Sequence, residues 1–415
     1  MKKAIKSLAL LSLLTSSTAF AAPLGAMIMR VYLPFNDDIS KVVLPTLTFE
    51  FTDGTTKEVP PCANPKQVAP EFANTFLVEK QPDCSWYMGL NTTRILDPNI
   101  ALPETSASYW ITSFIPDDKL KKIVIKGTYP NARFMSFNTY DAKGSAFEKT
   151  IDGVTYKSSL ADHKIKPDTG YANPWQQPAL AGGKYTLHVV NNPKTDAPAG
   201  ANTLVMPPAM EGGLISLLKE MPNIKNCNPT CYPINFFKAS KEISAAAFPN
   251  SESAYLMSMV KPKLDNVLVI RGKMPKVTAG NFPTPWPSAK ELRYFSICNY
   301  ILMRPYPVVK DACLRDSNLK LDRNDYYTVV VSHTNPVLHN HDWLPFSSLL
   351  PLHEHVLLVR NMVSNPDFKQ ATLNVKDETN NWQIARDTMG EYYPTIKQCS
   401  RLDYALKGSN CKAIN

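Results

Sequence analysis

The segment Val124-Ile-Lys-Gly-Thr-Tyr-Pro130 recurs later in the chain as Val269-Ile-Arg-Gly-Lys-Met-Pro275. Each copy starts with β-branched residues and ends at a proline, a pattern that is typical of a β-strand followed by a turn. A strand that recurs together with its turn indicates that one structural unit occurs twice in the chain.

Landmarks on both sides of these segments recur in the same order. A proline six residues before a tyrosine precedes each segment, and an arginine with an aromatic run, two spaced aspartates and a Tyr-Thr pair follow it. In order, the matched residues are Pro103 and Pro249, Tyr109 and Tyr255, Arg133 and Arg293, Asp162 and Asp316, Asp168 and Asp322, and Tyr185 and Tyr327. The sequence therefore predicts an all-β protein, with two tandem β-sandwich or jelly-roll-like domains from an internal duplication.

The predicted organisation has five parts. They are a signal peptide (1–21), an N-terminal hairpin region with the first sandwich (22–206), a short helical connector with two cysteines (207–248), the second sandwich (249–375) and a disulfide-closed tail (376–415). Helices are predicted at Gly213–Met221 and Phe236–Ala247, and a hairpin at Leu47–Val59 with Asp53-Gly54 in a type I′ turn. Strands are predicted at Tyr109–Ile115, Lys122–Ile125, Arg133–Tyr140, Tyr185–Val190, Val267–Ile270, Arg293–Tyr300, Tyr326–Ser332 and Val356–Arg360.

The N-terminus has the pattern of a secretory signal. Three lysines precede the apolar run Leu8–Leu14, and Ala19-Phe20-Ala21 resembles a cleavage site. This predicts cleavage after Ala21, a periplasmic or secreted protein, and no transmembrane anchor. Loss of the three lysines lowers the formal charge from +9 to +6. Because the remaining cations are scattered, a nucleic-acid partner is not expected.

Eight cysteines follow the signal segment, an even number that indicates disulfides in an exported protein. Eight cysteines allow about 105 connectivities. Pairing of sequence neighbours is favoured among them: Cys62–Cys84, Cys227–Cys231, Cys298–Cys313 and Cys399–Cys411. Zinc or redox chemistry is the less favoured alternative, since the chain has no C-x-x-C motif.

Five segments resemble a family of uncharacterised secreted bacterial proteins. They are Ala132-Arg-Phe-Met-Ser-Phe-Asn-Thr-Tyr-Asp141, Lys166-Pro-Asp-Thr-Gly-Tyr-Ala-Asn-Pro174, Val269-Ile-Arg-Gly-Lys273, Glu291-Leu-Arg-Tyr-Phe-Ser-Ile-Cys298 and Tyr327-Thr-Val-Val-Val331. A fainter similarity extends to the β-rich domain-of-unknown-function families 1254 and 1214. The resemblance covers roughly residues 100 to 370. It implies a β-sandwich architecture and a Cys298–Cys313 disulfide, and it carries no established activity.

Five of the seven histidines lie between His333 and His355. They include two H-x-H pairs, His339 with His341 and His353 with His355, and alternate residues of a strand share one face. Together with Asp342 or Glu354 these pairs form a candidate zinc or copper site. The alternative is that they are polar surface residues.

Arginine and tryptophan supply the candidate ligand-binding residues. Arg133 and Arg293 could each grip an anion, or else be buried in ion pairs with carboxylates such as Asp141 and Glu291. Trp175 and Trp343 could stack on a sugar, or else plug the ends of their sandwiches. The recurring aspartates could bind calcium or act as an acid–base pair, but turn formation is favoured because they recur in both halves.

The leading functional hypothesis is an exported protein that binds a glycan, lipid or other envelope molecule near the domain junction, without covalent chemistry. The partner is then an unknown small molecule or glycan, and no cofactor is needed. Whether the chain is an enzyme stays open, because a secreted hydrolase of glycans or amides, with metal assistance from the histidines, is one alternative. A structural or host-facing interaction factor is the other.

Overall fold

The computed structural model describes residues 25–33, 39–62, 81–88, 101–141, 144–176, 183–209, 234–239, 248–278, 289–304, 306–377 and 381–414. These residues form an all-β protein of two sandwiches, which confirms the predicted fold class. The predicted signal peptide, the Gly213–Met221 helix and the Cys227–Cys231 pair lie outside the described residues.

The strands of the first sandwich lie before residue 206. They are β1 (Gly25–Tyr32), β2 (Thr46–Phe51), β3 (Thr56–Val59), β4 (Tyr87–Met88), β5 (Ala107–Phe114), β6 (Leu120–Thr128), β7 (Phe134–Tyr140), β8 (Glu148–Ile151), β9 (Val154–Lys157), β10 (Ser159–Ala161), β11 (Lys184–Val190) and β12 (Asn202–Val205). One sheet has the order β10-β7-β1-β5-β4 and the other has the order β12-β11-β6-β2-β3, while β8 and β9 form a separate hairpin.

The second sandwich comprises β13 (Phe237–Lys238), β14 (Ser253–Val260), β15 (Asn266–Lys273), β16 (Leu292–Ile301), β17 (Val308–Arg315), β18 (Tyr326–Ser332), β19 (Asp342–Pro345), β20 (His355–Ser364) and β21 (Thr395–Ser400). Its sheets have the orders β13-β14-β20-β16-β17 and β19-β18-β15-β21. Helices α1 (Trp382–Met389) and α2 (Arg401–Lys407) flank β21.

The strand orders of the two sandwiches match. The central strand β1 lies between β7 and β5, and β20 lies in the same way between β16 and β14. Both second sheets also end in a parallel pair, β11 with β12 and β18 with β19. The equivalent strands come in a different order along the chain. β1 and β2 come first in the first sandwich, whereas their equivalents β20 and β21 come last in the second. Common descent of the halves stays a prediction.

The two sandwiches stack into four layers of sheet. Every residue of β1, β5 and β7 is buried, as are nine of the ten residues of β16 and of β20. A strand with both faces buried must lie between two other layers. Tyr32, Tyr109 and Tyr140 of the first sandwich form one apolar cluster with Tyr294 and Met362 of the second. The junction of the sandwiches is thus a packed layer and not an open groove.

All eight predicted strands lie within or overlap observed strands. Three neighbour disulfides, Cys62–Cys84, Cys298–Cys313 and Cys399–Cys411, are confirmed. Cys298 and Cys313 are direct cross-strand partners of β16 and β17, which explains why this pair closes within one sheet.

Three details of the prediction are wrong. Gly54 alone takes a positive φ in the Thr46–Val59 hairpin, so the turn is not type I′, which needs two such residues. The predicted Phe236–Ala247 helix begins instead as strand β13, and residues 240–247 lie outside the described part. The segment predicted as a tail contributes β21, which pairs with β15 and so belongs to the second sandwich.

Candidate functional site

Two reciprocal ion pairs join the sandwiches and take up both predicted anion-binding arginines. Arg133 of the first sandwich holds Asp316 of the second with two hydrogen bonds, of 2.8 and 2.6 Å. Arg293 of the second sandwich in turn donates to Asp162 of the first at 2.8 Å. All four side chains are at least nine-tenths buried. The two arginines are therefore structural partners of the opposite aspartates rather than groups open to a ligand.

The same two aspartates build turns in their own sandwich. Each begins a 3₁₀ turn, at 162–164 and at 316–318, and accepts a backbone N–H from the neighbouring strand: Met135 donates to Asp162 at 2.7 Å and Phe295 to Asp316 at 3.1 Å. Burial alone would raise the pKa of Asp162, but Arg293 and the hydrogen bonds outweigh it and hold that pKa below its ordinary value. This confirms the turn hypothesis and adds a role in the interface that the sequence did not indicate.

The sequence-near carboxylates proposed as partners serve elsewhere. Asp141 accepts from the backbone of Ser145 at 2.8 Å, and Glu291 accepts from the Tyr392 hydroxyl at 2.9 Å. The arginines were correctly expected to meet carboxylates, but sequence proximity selected the wrong ones. A partner in the other sandwich cannot be recognised from the residues near the arginine in the sequence.

Neither candidate tryptophan presents an open face. Trp175 is fully buried in the core of the first sandwich, edge-on to Tyr129 at 5.8 Å. Trp343 is half-buried on β19 and donates from Nε1 to Ser332 Oγ at 3.1 Å. Both positions agree with the alternative that tryptophan fills its own sandwich.

The first H-x-H pair contacts the C-terminal segment. His339 Nε2 lies 3.0 Å from the carbonyl oxygen of Ala405 on α2. His341 lies between Asn335 and the Tyr404 hydroxyl, with a ring nitrogen 3.0 Å from each. Burial lowers the pKa of His341, so this imidazole is neutral at pH 7. Both rings thus attach α2 to the loop between β18 and β19.

The second pair lies at the start of β20. His355 Nδ1 lies 3.0 Å from Asn299 Oδ1, and His353 Nε2 lies 3.3 Å from the carbonyl oxygen of Leu302. Burial, followed by the charges of His353 and His333, lowers the pKa of His355 to about 3. The Phe346 ring lies between His333 and His355, with centroid distances of 5.2 and 5.0 Å. The two H-x-H pairs therefore have separate sets of partners.

Within the described part of the chain, one trio of side chains has potential metal-ligand atoms close together: Glu104, Cys298 and Cys313. The two cysteines are joined in a disulfide and cannot act as thiolate ligands in that state. The predicted zinc or copper site at His339, His341, His353 and His355 is not a preformed cluster in this geometry.

The histidines instead organise one end of the second sandwich, which we call the apolar end. It comprises the turn 261–265, the turn around Met303, the loops 333–341 and 346–354, and α2. Backbone bonds join these pieces: Arg401 donates to Asp265 at 2.8 Å, and Leu302 donates to Glu354 at 2.9 Å. His339 ties its loop to α2 as described above. Separate segments of the chain thus meet at one end of the second sandwich.

Large apolar side chains are concentrated at the apolar end. Leu349 is 86% exposed, and Leu352, on the same loop, is more than half exposed. The remaining exposed apolar residues of this surface are Leu264, Met303, Val337, Leu338, Leu350, Leu402 and Leu406. A contiguous group of exposed apolar residues marks an interaction surface, whereas single ones are ordinary.

The turn 261–265 and the turn around Met303 form the part of the apolar end that we call the tip, and their charged residues are mainly basic. Lys261, Lys263 and Arg304 are exposed there, and Asp265 is the exposed acid of the same two turns. The tip therefore combines apolar loops with a net positive charge. The sequence carried a signal for it, in Leu349-Leu-Pro-Leu352 and Val337-Leu338, but only folding brings these segments together.

No protein-family model matches the chain, and no curated protein matches it. A crystal structure of an uncharacterized protein from Burkholderia cenocepacia is similar over 68% of this chain and 76% of its own, with a TM-score of 0.38 and 10% identity. The VPA0106 protein from Vibrio parahaemolyticus is similar over 39% of this chain and 36% of its own, with a TM-score of 0.23 and 17% identity. Among the described residues, no helix has the length and apolarity needed to cross a membrane.

Proposed function

We propose that this protein is an exported binding protein that attaches through the apolar end to the surface of an anionic lipid membrane. The observation that carries the proposal is the convergence of exposed leucines, from segments far apart in sequence, on one end of the second sandwich. The function class is the one expected from the sequence, but the proposed surface differs. The domain junction, where a ligand was expected, is packed largely with ion pairs and aromatic rings.

Two physical terms support a lipid surface as the partner. A leucine on a loop tip gains free energy when it enters the acyl boundary, about 1.5–3 kcal/mol for complete burial and about half of that for partial insertion. A lysine close to an anionic bilayer adds about 1 kcal/mol. Leu349 and Leu352 with Lys261 and Lys263 supply both terms from neighbouring turns.

The test is cosedimentation of the purified protein with vesicles of phosphatidylglycerol and phosphatidylcholine. We expect binding to vesicles that contain phosphatidylglycerol, weakened by salt because the basic residues contribute. The double substitution Leu349→Ser with Leu352→Ser removes about 2 kcal/mol of insertion energy, which corresponds to roughly 30-fold weaker binding. The charge reversal Lys261→Glu with Lys263→Glu should abolish the preference for phosphatidylglycerol.

The matched control is Val154→Ser. Val154 is 52% exposed but lies on β9 of the first sandwich, away from the apolar end, so its replacement should leave vesicle binding unchanged. Equal binding by the leucine variant and the native protein would contradict the proposal. So would self-association through these leucines, seen by sedimentation velocity, in a protein that ignores vesicles.

A further inference from the structure

The layer between the sandwiches has an approximate twofold relation at the level of single residues. Tyr140 of the first sandwich donates its hydroxyl to the carbonyl of Pro249 in the second, at 3.1 Å. Tyr300 of the second donates in the same way to Pro103 of the first, also at 3.1 Å. The reciprocal arginine–aspartate pairs follow the same relation. Each polar group at this junction can therefore be compared with an equivalent group on the other side.

The central strands carry equivalent buried arginines. Arg30 on β1 lies opposite Tyr109 on one neighbouring strand and Ser136 on the other. Arg360 on β20 lies opposite Tyr255 and Ser296. Register alone thus places Arg30 and Arg360 in matching positions.

Next to Arg360, a buried carboxylate pairs with the guanidinium. Glu104, which is fully buried, accepts from Arg360 Nη1 and from Ser296 Oγ through Oε2. Its other oxygen, Oε1, accepts from the backbone N–H of Ser106 at 3.2 Å. The buried guanidinium therefore has a negative partner, as a buried charge requires.

On the Arg30 side, the residue equivalent to Glu104 is Asn250, since each directly follows the matched proline. Asn250 Oδ1 accepts from the backbone of Glu252 at 3.1 Å, which reproduces the bond from Ser106 to Glu104. Asn250 Nδ2 is thus the atom equivalent to Oε2, the carboxylate oxygen that holds Arg360, but the asparagine side chain is one methylene shorter than that of glutamate. This Nδ2 is buried and has no hydrogen-bond partner.

The positive charge of Arg30 is consequently not balanced. The side chain is 4% exposed, its Nη2 donates to the Phe248 carbonyl at 2.5 Å, and the neutral Tyr140 hydroxyl is a further hydrogen-bonding neighbour of the guanidinium, but Nη1 has no acceptor within hydrogen-bond geometry. Its guanidinium lies over the rings of Tyr109 and Tyr140, with Cζ 5.7 and 5.5 Å from the ring centroids. Burial raises the pKa of both tyrosines, so neither supplies a negative charge. None of the described carboxylates forms an ion pair with Arg30.

Nearby groups do not fill this gap. Glu252, the nearest acid in sequence to Asn250, lies within salt-bridge distance of Lys164 and His163. Ser136 Oγ accepts from Asn138 Nδ2 at 2.9 Å, which leaves its own O–H to donate, as Ser296 does on the other side. A buried donor without an acceptor costs about 1–3 kcal/mol, and a buried charge without a partner costs more.

We propose that Arg30, Asn250 and Ser136 form a binding site for a carboxylate ligand, which would lie between the shorter Asn250 side chain and Arg30 and would pair with Arg30 as Glu104 pairs with Arg360 on the opposite side. One carboxylate group accepts from Arg30 Nη1, Asn250 Nδ2 and the Ser136 hydroxyl and neutralises the guanidinium. The site is independent of the apolar end, and neither proposal requires the other.

The experiment uses the purified full-length mature chain and radiolabelled acetate in equilibrium dialysis. We expect one acetate per chain, and a melting midpoint that rises with acetate concentration, compared with equal ionic strength of sodium perchlorate. Laurate is the second probe: tighter binding of laurate than of acetate identifies a fatty acid as the source of the carboxylate, and equal binding identifies a free small acid.

Three variants separate the site from general stability effects. Asn250→Glu supplies the missing carboxylate from the chain itself, so it should abolish acetate binding and raise the melting midpoint by about 2–4 °C in the absence of acetate. Asn250→Gln has the same length but no charge, so it should not raise the midpoint. Arg30→Met should eliminate acetate binding.

Three results would overturn the proposal. The first is that the native chain binds neither acetate nor laurate. The second is that Arg30→Met leaves the acetate stoichiometry unchanged. The third is that Asn250→Glu fails to raise the midpoint above that of Asn250→Gln.

Discussion

The reciprocal ion pairs at the junction allow a quantitative test by replacing Asp316 with asparagine. Asparagine keeps the size of the side chain and an oxygen that can accept the Phe295 N–H, but it removes the negative charge from Arg133. Arg133 and Asp316 are both at least 96% buried, so water cannot replace the lost partner. Removing one member of a buried pair costs about 3–5 kcal/mol, and we expect a loss in that range for Asp316→Asn.

The double variant Arg133→Met with Asp316→Asn separates the charge from the packing. Methionine fills much of the volume of the arginine stem and leaves no unpaired cation. We therefore expect the double variant to be at least 2 kcal/mol more stable than Asp316→Asn alone, although it lacks the ion pair entirely.

Urea unfolding followed by tryptophan fluorescence gives the free energies of unfolding of four proteins: the native chain, Asp316→Asn, Arg133→Met and the double variant. The coupling free energy follows from the four values. A loss below 1 kcal/mol for Asp316→Asn, or costs that simply add in the double variant, would refute the idea that the interface depends on this buried charge pair.

Two further predictions concern residues buried in the second sandwich. A Cβ on Gly272 would lie 2.8 Å from Cζ of Tyr327, its cross-strand partner, so Gly272→Ala should destabilise the protein by about 1–3 kcal/mol. Adding Tyr327→Phe to this variant should recover part of the lost stability. If thermal unfolding shows no recovery, the clash with Tyr327 is not the cause. His355 has a pKa of about 3 when folded, against about 6.5 when unfolded, so the unfolded chain binds the extra proton and stability falls as pH drops from 6.5 towards 3. The slope contribution is about 1.4 kcal/mol per pH unit, and His355→Gln should remove it from unfolding measured between pH 4.5 and 6.5; equal slopes in both proteins would contradict the assignment.

Strands were the most predictable part of this protein. Their β-branched and aromatic runs, with proline and glycine at the ends, reflect local backbone preferences that act over few residues. β1 was not predicted, although it is central to the first sandwich. It lies shortly after the predicted signal peptide, so its composition did not stand out, and only its pairing with β5 and β7 defines it.

The candidate site was less predictable, because its partners come from opposite sandwiches. Arg133 was expected to meet a carboxylate, and it does, but Asp316 lies on another domain. No sequence pattern marked Arg30 or Asn250 as candidate site residues. The asymmetry between Asn250 and Glu104 becomes visible only after the junction shows that these positions are equivalent.

The sequence by itself determined the strand-rich fold, the neighbour disulfides that the structure describes and the residues that recur between the halves, because each depends on short-range geometry or on direct comparison along the chain. Only the tertiary structure decided what the recurring residues do. Arginine and aspartate have no preferred partner until folding removes them from water, and burial then makes a nearby opposite charge the dominant requirement. Likewise, leucines in distant loops became a surface only when the strands of the second sandwich brought those loops to one end.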